Sequence, residues 1–93
     1  MDITIRHDSE NRQFVADVDG HEAVVQYRET EQGTFDLYRT FTPEALRGRG
    51  IAGRLVEATL EHARANGWKI VPTCPYVTRY VERHPENRDL VAV

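Results

Sequence analysis

The hydrophobic pattern of this 93-residue chain changes period once, near residue 42, and that change limits the fold more than any other feature. Up to Phe41 apolar residues recur at every second position, the period of a strand with one buried face; from Ile51 they recur at every third and fourth, the period of a helix. Ile3 and Ile5 alternate with polar neighbours, and Phe14, Ala16 and Val18 do so again. Asp19-Gly20 follows at once. Such a pair closes a two-residue hairpin, because both central residues need positive φ. Ala23, Val25 and Tyr27 mark the return strand, Glu29–Gly33 reads as a turn, and Phe35, Leu37, Arg39 and Phe41 alternate with Asp36, Tyr38 and Thr40 in a fourth strand. Four strands on short connections predict an antiparallel meander, buried on one face.

After Thr42-Pro43-Glu44, a helix-start signal interrupted by Gly48 and Gly50, one apolar helical stripe runs through Ile51, Ala52, Leu55, Val56, Thr59, Leu60 and Ala63. Asn66-Gly67 ends it, with Gly67 suited to a left-handed cap. Trp68–Val71 is a short fifth strand. Pro72 and Pro75 bracket a loop holding Thr73 and Cys74, Tyr76–Arg83 reads as a second helix stopped by His84-Pro85, and Leu90, Val91 and Val93 form a tail able to dock as a last strand. The order is β-β-β-β-α-β-α, an α+β fold. The strand–helix–strand run 35–41, 51–66, 68–71 would set strands four and five parallel and adjacent, with the long helix packed on a mixed sheet.

Length and composition narrow the function. Residues 1–93 suffice for one domain, which at this size buries only about 60% of its unfolded surface. No apolar run approaches the ~18 residues of a membrane span, and Met1-Asp2-Ile3-Thr4-Ile5 has neither the basic flank nor the apolar stretch of a signal peptide. The expected location is cytoplasmic, without membrane association, as a monomer or weak dimer. A single cysteine, Cys74, excludes an internal disulfide, and four histidines without a second cysteine give no zinc spacing, so no metal is expected. Residues 1–46 hold four Arg against ten Asp/Glu, a balance of −6, and residues 47–93 hold eight Lys/Arg against five Asp/Glu, a balance of +3. A net charge of −3 argues against a general nucleic-acid binder. The positive half suits a small phosphate-bearing ligand, or is simply an uneven solvated surface. His7 and His21, at strand ends, and His62, on the polar side of the long helix, read as surface residues.

The segment Leu46-Arg47-Gly48-Arg49-Gly50-Ile51-Ala52-Gly53 sits after a strand and opens a helix. Its glycines let backbone approach a ligand, the helix start offers unbonded N–H groups and partial positive charge, and Arg47, Arg49 and Arg54 add cations. Together they make a phosphate site. No Gly-Lys-Ser/Thr follows, so this is not a nucleotide-hydrolase loop. Nor does it have the context of the dinucleotide fingerprint.

Arg47-Gly48-Arg49-Gly50-Ile51-Ala52 resembles the R/Q-x-x-G-x-G/A motif of the GNAT acetyltransferases. Pro72-Thr73-Cys74-Pro75-Tyr76-Val77 with Tyr80, His84, Pro85 and Glu86 resembles a small single-domain branch of them, sometimes called YjdJ-type. The resemblance covers nearly all of residues 3–91. It implies an N-acetyltransferase that binds acetyl-CoA, with Phe41, Arg47, Gly48, Arg49, Gly50, Ile51, Ala52, Gly53 and Arg54 around coenzyme A and backbone amides on its pyrophosphate. It also implies an oxyanion-binding N–H on the fourth strand, between Leu37 and Phe41, and a tyrosine that protonates the leaving thiolate, Tyr80 before Tyr76. Cys74 would lie near the thiol end, as a nucleophile, a pocket wall or an inert core residue. No residue stands out as a general base. The two helices usual between the first strands are absent and the C-terminal hairpin is short. The acceptor side should therefore be open, suiting a peptide or protein amine. The alternative is an acyl-CoA-binding or partner-binding module with little catalytic activity.

Overall fold

A computed structural model describes residues 3–92, and the tail residue Val93 lies outside them. The elements are β1 (Thr4–Asp8), β2 (Gln13–Val18), β3 (His21–Glu31), β4 (Thr34–Phe41), α1 (Ile51–Ala65), β5 (Lys69–Val71) and α2 (Pro75–Arg83), with short 3-10 turns at Glu44–Leu46 and Pro85–Leu90. The strands form one sheet in the order β1-β2-β3-β4-β5. The first four pair antiparallel, and β5 lies parallel to β4 with Asp36 opposite Val71 as the last pair. This is the mixed α+β sheet that the change of period requires. Among the described residues no helix is long and apolar enough to cross a membrane.

Local chemistry accounts for the boundaries. Asp19 and Gly20 both take positive φ, 50° and 79°, which matches the right-handed twist of the flanking strands. Gly67, at φ 69°, turns the chain back after Ala65. Thr42-Pro43-Glu44 starts only one 3-10 turn, because Gly48 and Gly50 follow with φ of 80° and 74°. The β3–β4 hairpin is longer than the alternation indicates. Glu29 pairs with Phe35 and Glu31 with Thr34 in a ribbon whose polar residues project beyond the helical cover.

The α1 stripe of Ile51, Leu55, Val56, Thr59, Leu60 and Ala63 packs on Phe14, Ala16, Ala23, Val25 and Leu37, all buried. Each fully buried residue of leucine size contributes about 1.5–3 kcal/mol. The Thr59 hydroxyl donates to the Leu55 carbonyl at 2.8 Å, so the one polar residue of the stripe is satisfied inside its own helix. α2 lies beside α1 and buries Val77 and Val81, while Leu90 is buried and Val91 bridges Ile70, so the tail docks in parallel against β5. Helices thus gather on one face of the sheet. The other carries Arg6, Asp17, Gln26, Arg28, Asp36 and Arg39 and is covered by side chains alone.

Two expectations change. In β4, Leu37 pairs with Tyr27 and Arg39 with Gln26, so Tyr38 is an extra residue. The bulge breaks the strict alternation. Phe35 and Leu37 face the helices, whereas Arg39 and Phe41 join Asp36 on the free face, and Thr40 takes the inward position. His7 is half-buried rather than free on the surface. It lies opposite Phe14 in the β1–β2 register and stacks on that ring at 4.3 Å, 4.6 Å from His62 and 5.9 Å from Trp68. Its Nε2 meets the Tyr27 hydroxyl at 2.6 Å.

Candidate functional site

The turn from β4 into α1 is anchored by Leu46, which is buried, and then leaves the surface open. A Cβ built on Gly48 or Gly50 would meet nothing within 4 Å. Gly50 is the N-cap of α1 and supplies no side-chain cap, and the first turn holds no acidic residue. The first intrahelical bond runs from Arg54 N–H to Gly50 O at 3.2 Å. The N–H groups of Ile51, Ala52 and Gly53 therefore have no partner within the helix. Ile51 and Ala52 line a cavity of about 210 Å³ with Thr42, Leu46, Arg47, Gly50 and Tyr76, while Gly53 lines the neighbouring one. Unspent donors, a positive helix end and a backbone clear of side chains together fit the phosphates of coenzyme A.

The predicted arginines differ in freedom. Arg47 Nε donates to the Thr42 carbonyl at 3.1 Å, and Arg49 reaches across to Asp19 at 3.2 Å, tying the loop to the β2–β3 turn. Arg54 is exposed and makes no ion pair among the described residues. Phe41 stands apart from the cavity. Its ring is 43% exposed on the free face, with the Arg39 guanidinium 5.3 Å from its centre.

Past Leu37 the strands part. The Cys74 N–H donates to the Leu37 carbonyl at 3.0 Å and closes the end of the β4–β5 pairing, after which Tyr38–Phe41 have no β5 partner. Cys74 is buried and is the N-cap of α2, with Pro75 as its first residue. Its Sγ lies 3.5 Å from Thr40 Oγ1. Burial pushes the thiol up, but the Thr40 hydroxyl and the backbone N–H groups of Val77, Tyr76 and Thr40 outweigh it and hold the thiol below its ordinary value. The helix start supplies this field, while Arg79 is not among its sources.

Gly53 explains the seat of Tyr76. A Cβ there would meet the Tyr76 hydroxyl at 3.4 Å, so the glycine lets the ring lie against α1 beside the loop cavity. Tyr80, one turn on, lines a second cavity of about 280 Å³ with Gly53, Tyr76, Arg79 and Arg83, and a third of about 400 Å³ with Glu57, Glu61 and Glu86. Its ring stacks on His84 at 4.1 Å, and burial, then Glu57 and Glu86, raise its hydroxyl above the usual tyrosine range. The structure thus brings the glycine loop, Tyr76 and the start of α2 together, and sets Tyr80 toward the outer cavities.

Two residues beside this site carry no sequence signal. Thr40 becomes inward-facing only through the Tyr38 bulge. Asp36 reads as a solvent position of an alternating strand, yet it is 7% exposed because β5 and Arg28 flank it. Arg28 Nε donates to Asp36 Oδ2 at 3.2 Å, and Asp36 Oδ1 is buried with no partner among the described residues. Among those residues no group of His, Cys, Asp and Glu is arranged to hold a metal.

Comparison with known proteins points the same way. Residues 13–90 match the family described as GCN5-related N-acetyl-transferase. The chain is 38% identical over 85 residues to protein NATD1 of Xenopus tropicalis, covering 89% of this chain and 78% of that one, and equally identical to the human NATD1, of which it covers 75%. The NMR solution structure of a GCN5-like protein from Staphylococcus aureus superposes with a TM-score of 0.75 at 24% identity, over 96% of this chain and 87% of that one, which shows a shared fold.

Proposed function

This chain belongs to the GCN5-related N-acetyltransferase family, and we propose that it uses acetyl-CoA to acetylate the primary amine of a peptide or protein. The observation that carries the reading is the uncapped start of α1, which lines a cavity that Tyr76 also walls. Coenzyme A bound there would supply an acetyl group activated as a thioester. Ile51, Ala52 and Gly53 would hold phosphate oxygens through backbone N–H, with Arg54 free to add charge. The stretch Tyr38–Phe41, which has left β5, would offer a backbone N–H to the carbonyl oxygen. Tyr76, nearer the loop than Tyr80, is the tyrosine placed to give a proton to a departing sulfur. Cys74, buried at the start of α2 beside Thr40, would serve either as a wall or as an acyl carrier. The domain is 1–93, one catalytic unit with an open acceptor side.

The experiment is turnover of acetyl-CoA over a panel of peptides with free α- or ε-amines, with product identified by mass. Acetylated peptide formed in proportion to enzyme is the expected result. Tight coenzyme A binding with no transfer to any amine would replace the enzyme with a binding module.

A further inference from the structure

A bulge gives up regular ladder pairing, so a strand adopts one only where the regular register costs more. In β4 that cost falls on Arg39. With Leu37 opposite Tyr27, an unbulged strand would set Tyr38 opposite Gln26 and Arg39 opposite Val25, which is 1% exposed in the core. A guanidinium among apolar side chains is costlier than one lost pair. The extra residue, Tyr38, instead moves Arg39 to the helix-free face, opposite Gln26. The same step brings Thr40 inward, opposite Val25 and 3.5 Å from Cys74 Sγ.

The free face receives Arg39 with a row of partners. Arg39 Nη1 donates to Gln26 Oε1 at 2.9 Å, Gln26 Nε2 to Gln13 Oε1 at 3.4 Å, and Gln13 Nε2 to Asp8 Oδ2 at 3.1 Å. Each member stands opposite the next across β4, β3, β2 and β1. The row starts on a cation and ends on a carboxylate, so its charges orient both amides the same way and its bonds polarise one another. Sliding β4 by one residue would break the row at Gln26.

We propose that Arg39 is a positioning residue for acetyl transfer: kept out of the core and paired with Gln26, it holds β4 in the bulged register, which keeps Thr40 on Cys74 and fixes the stretch Tyr38–Phe41. It acts from the face of the sheet opposite the site and touches no reacting atom. The proposal rests on the acetyltransferase reading above and deepens it by naming what holds that stretch in place.

Substitutions at Arg39 decide it, read first on alkylation of Cys74 against pH, which needs no cofactor. Thr40→Val marks the midpoint of a thiol that has lost the Thr40 hydroxyl. Arg39→Leu can enter the core, so β4 should run regular and the midpoint should rise at least as far, because the Thr40 N–H leaves the thiol with the hydroxyl. Arg39→Thr, small and suited to either face of a strand, should raise the midpoint in the same direction and serves where the leucine variant does not fold. Arg39→Lys and Arg39→Gln must stay on the free face, so both should keep the parent midpoint. The glutamine variant also separates position from charge, since it carries none. In transfer assays Arg39→Leu should lose about tenfold or more in kcat, the scale of a displaced oxyanion donor, with KM for acetyl-CoA within about twofold of the parent. A parent-like midpoint in both Arg39→Leu and Arg39→Thr, or a shift in Arg39→Gln as large as in Arg39→Leu, would overturn the assignment. No transfer by the parent would strike the acetyltransferase reading instead and leave the alkylation arm to decide this one.

Discussion

Gly50 does two separable jobs, and two substitutions distinguish them. With φ at 74° it sits in the left-handed region, and a Cβ there meets nothing within 4 Å. Gly50→Ala therefore introduces no clash, and its whole stability cost is backbone strain, about 1–2 kcal/mol. In a domain of this size that lowers the melting temperature by roughly 4–8 °C per kcal/mol. Gly50→Asn behaves differently. Asparagine tolerates the left-handed region, so it is little strained there, but it puts a polar side chain on a loop that is otherwise bare. The fold should keep its stability, yet the side chain occupies the approach that the phosphates of coenzyme A require. Calorimetry should then show affinity reduced by at least about tenfold, or 1.4 kcal/mol, in a protein that melts no lower than the parent. Parent-like coenzyme A affinity in Gly50→Asn would refute the loop as the phosphate site. An undiminished melting temperature in Gly50→Ala would refute the strained N-cap.

The remaining predictions concern thiol and imidazole. Because the Thr40 hydroxyl and the N–H groups at the start of α2 lower the Cys74 thiol, its modification by a small alkylating reagent should have a pH midpoint below that of an ordinary cysteine, and Thr40→Val should raise it; an unmoved midpoint contradicts the contact. Cys74→Ser suits an N-cap, so it should leave the fold intact. An acetyl adduct that forms on the parent alone and passes to the amine would make Cys74 a carrier, whereas full activity in the serine variant makes it a wall. Burial, then the charge of His62, lowers the pKa of His7 in the folded protein. The unfolded chain then binds the extra proton first, so stability should fall as pH drops below about 6.5, the ordinary histidine value. Urea midpoints at pH 7.5 and 5.5 should differ more in the parent than in His7→Phe; equal differences would sink this account.

The sequence made the fold legible where one period held over a whole element. The α1 stripe, the Asp19-Gly20 turn and the parallel pairing forced by a strand–helix–strand run all stand as read. It was opaque where tertiary contact overrides alternation. The Tyr38 bulge is set by the β3 register, and it turns Thr40 inward and Arg39 outward. His7 looks polar in the sequence but belongs to an aromatic cluster, because β1 aligns it opposite Phe14. Asp36 is buried by a strand 33 residues further along, Lys69–Val71, which no local window contains. The glycine loop was readable because its chemistry is local. The parting of β4 from β5 was not, because it arises between strands that meet only in the folded sheet.

The central claim is that the start of α1 binds the phosphates of coenzyme A, and titration of uniformly labelled protein with coenzyme A tests it residue by residue. The backbone amides of Gly48 to Gly53 should show the largest shifts, with Tyr76 following, and adenosine, which has no phosphates, should leave the loop amides unmoved. Saturable binding that leaves those amides in place, or no binding of coenzyme A, would contradict the account.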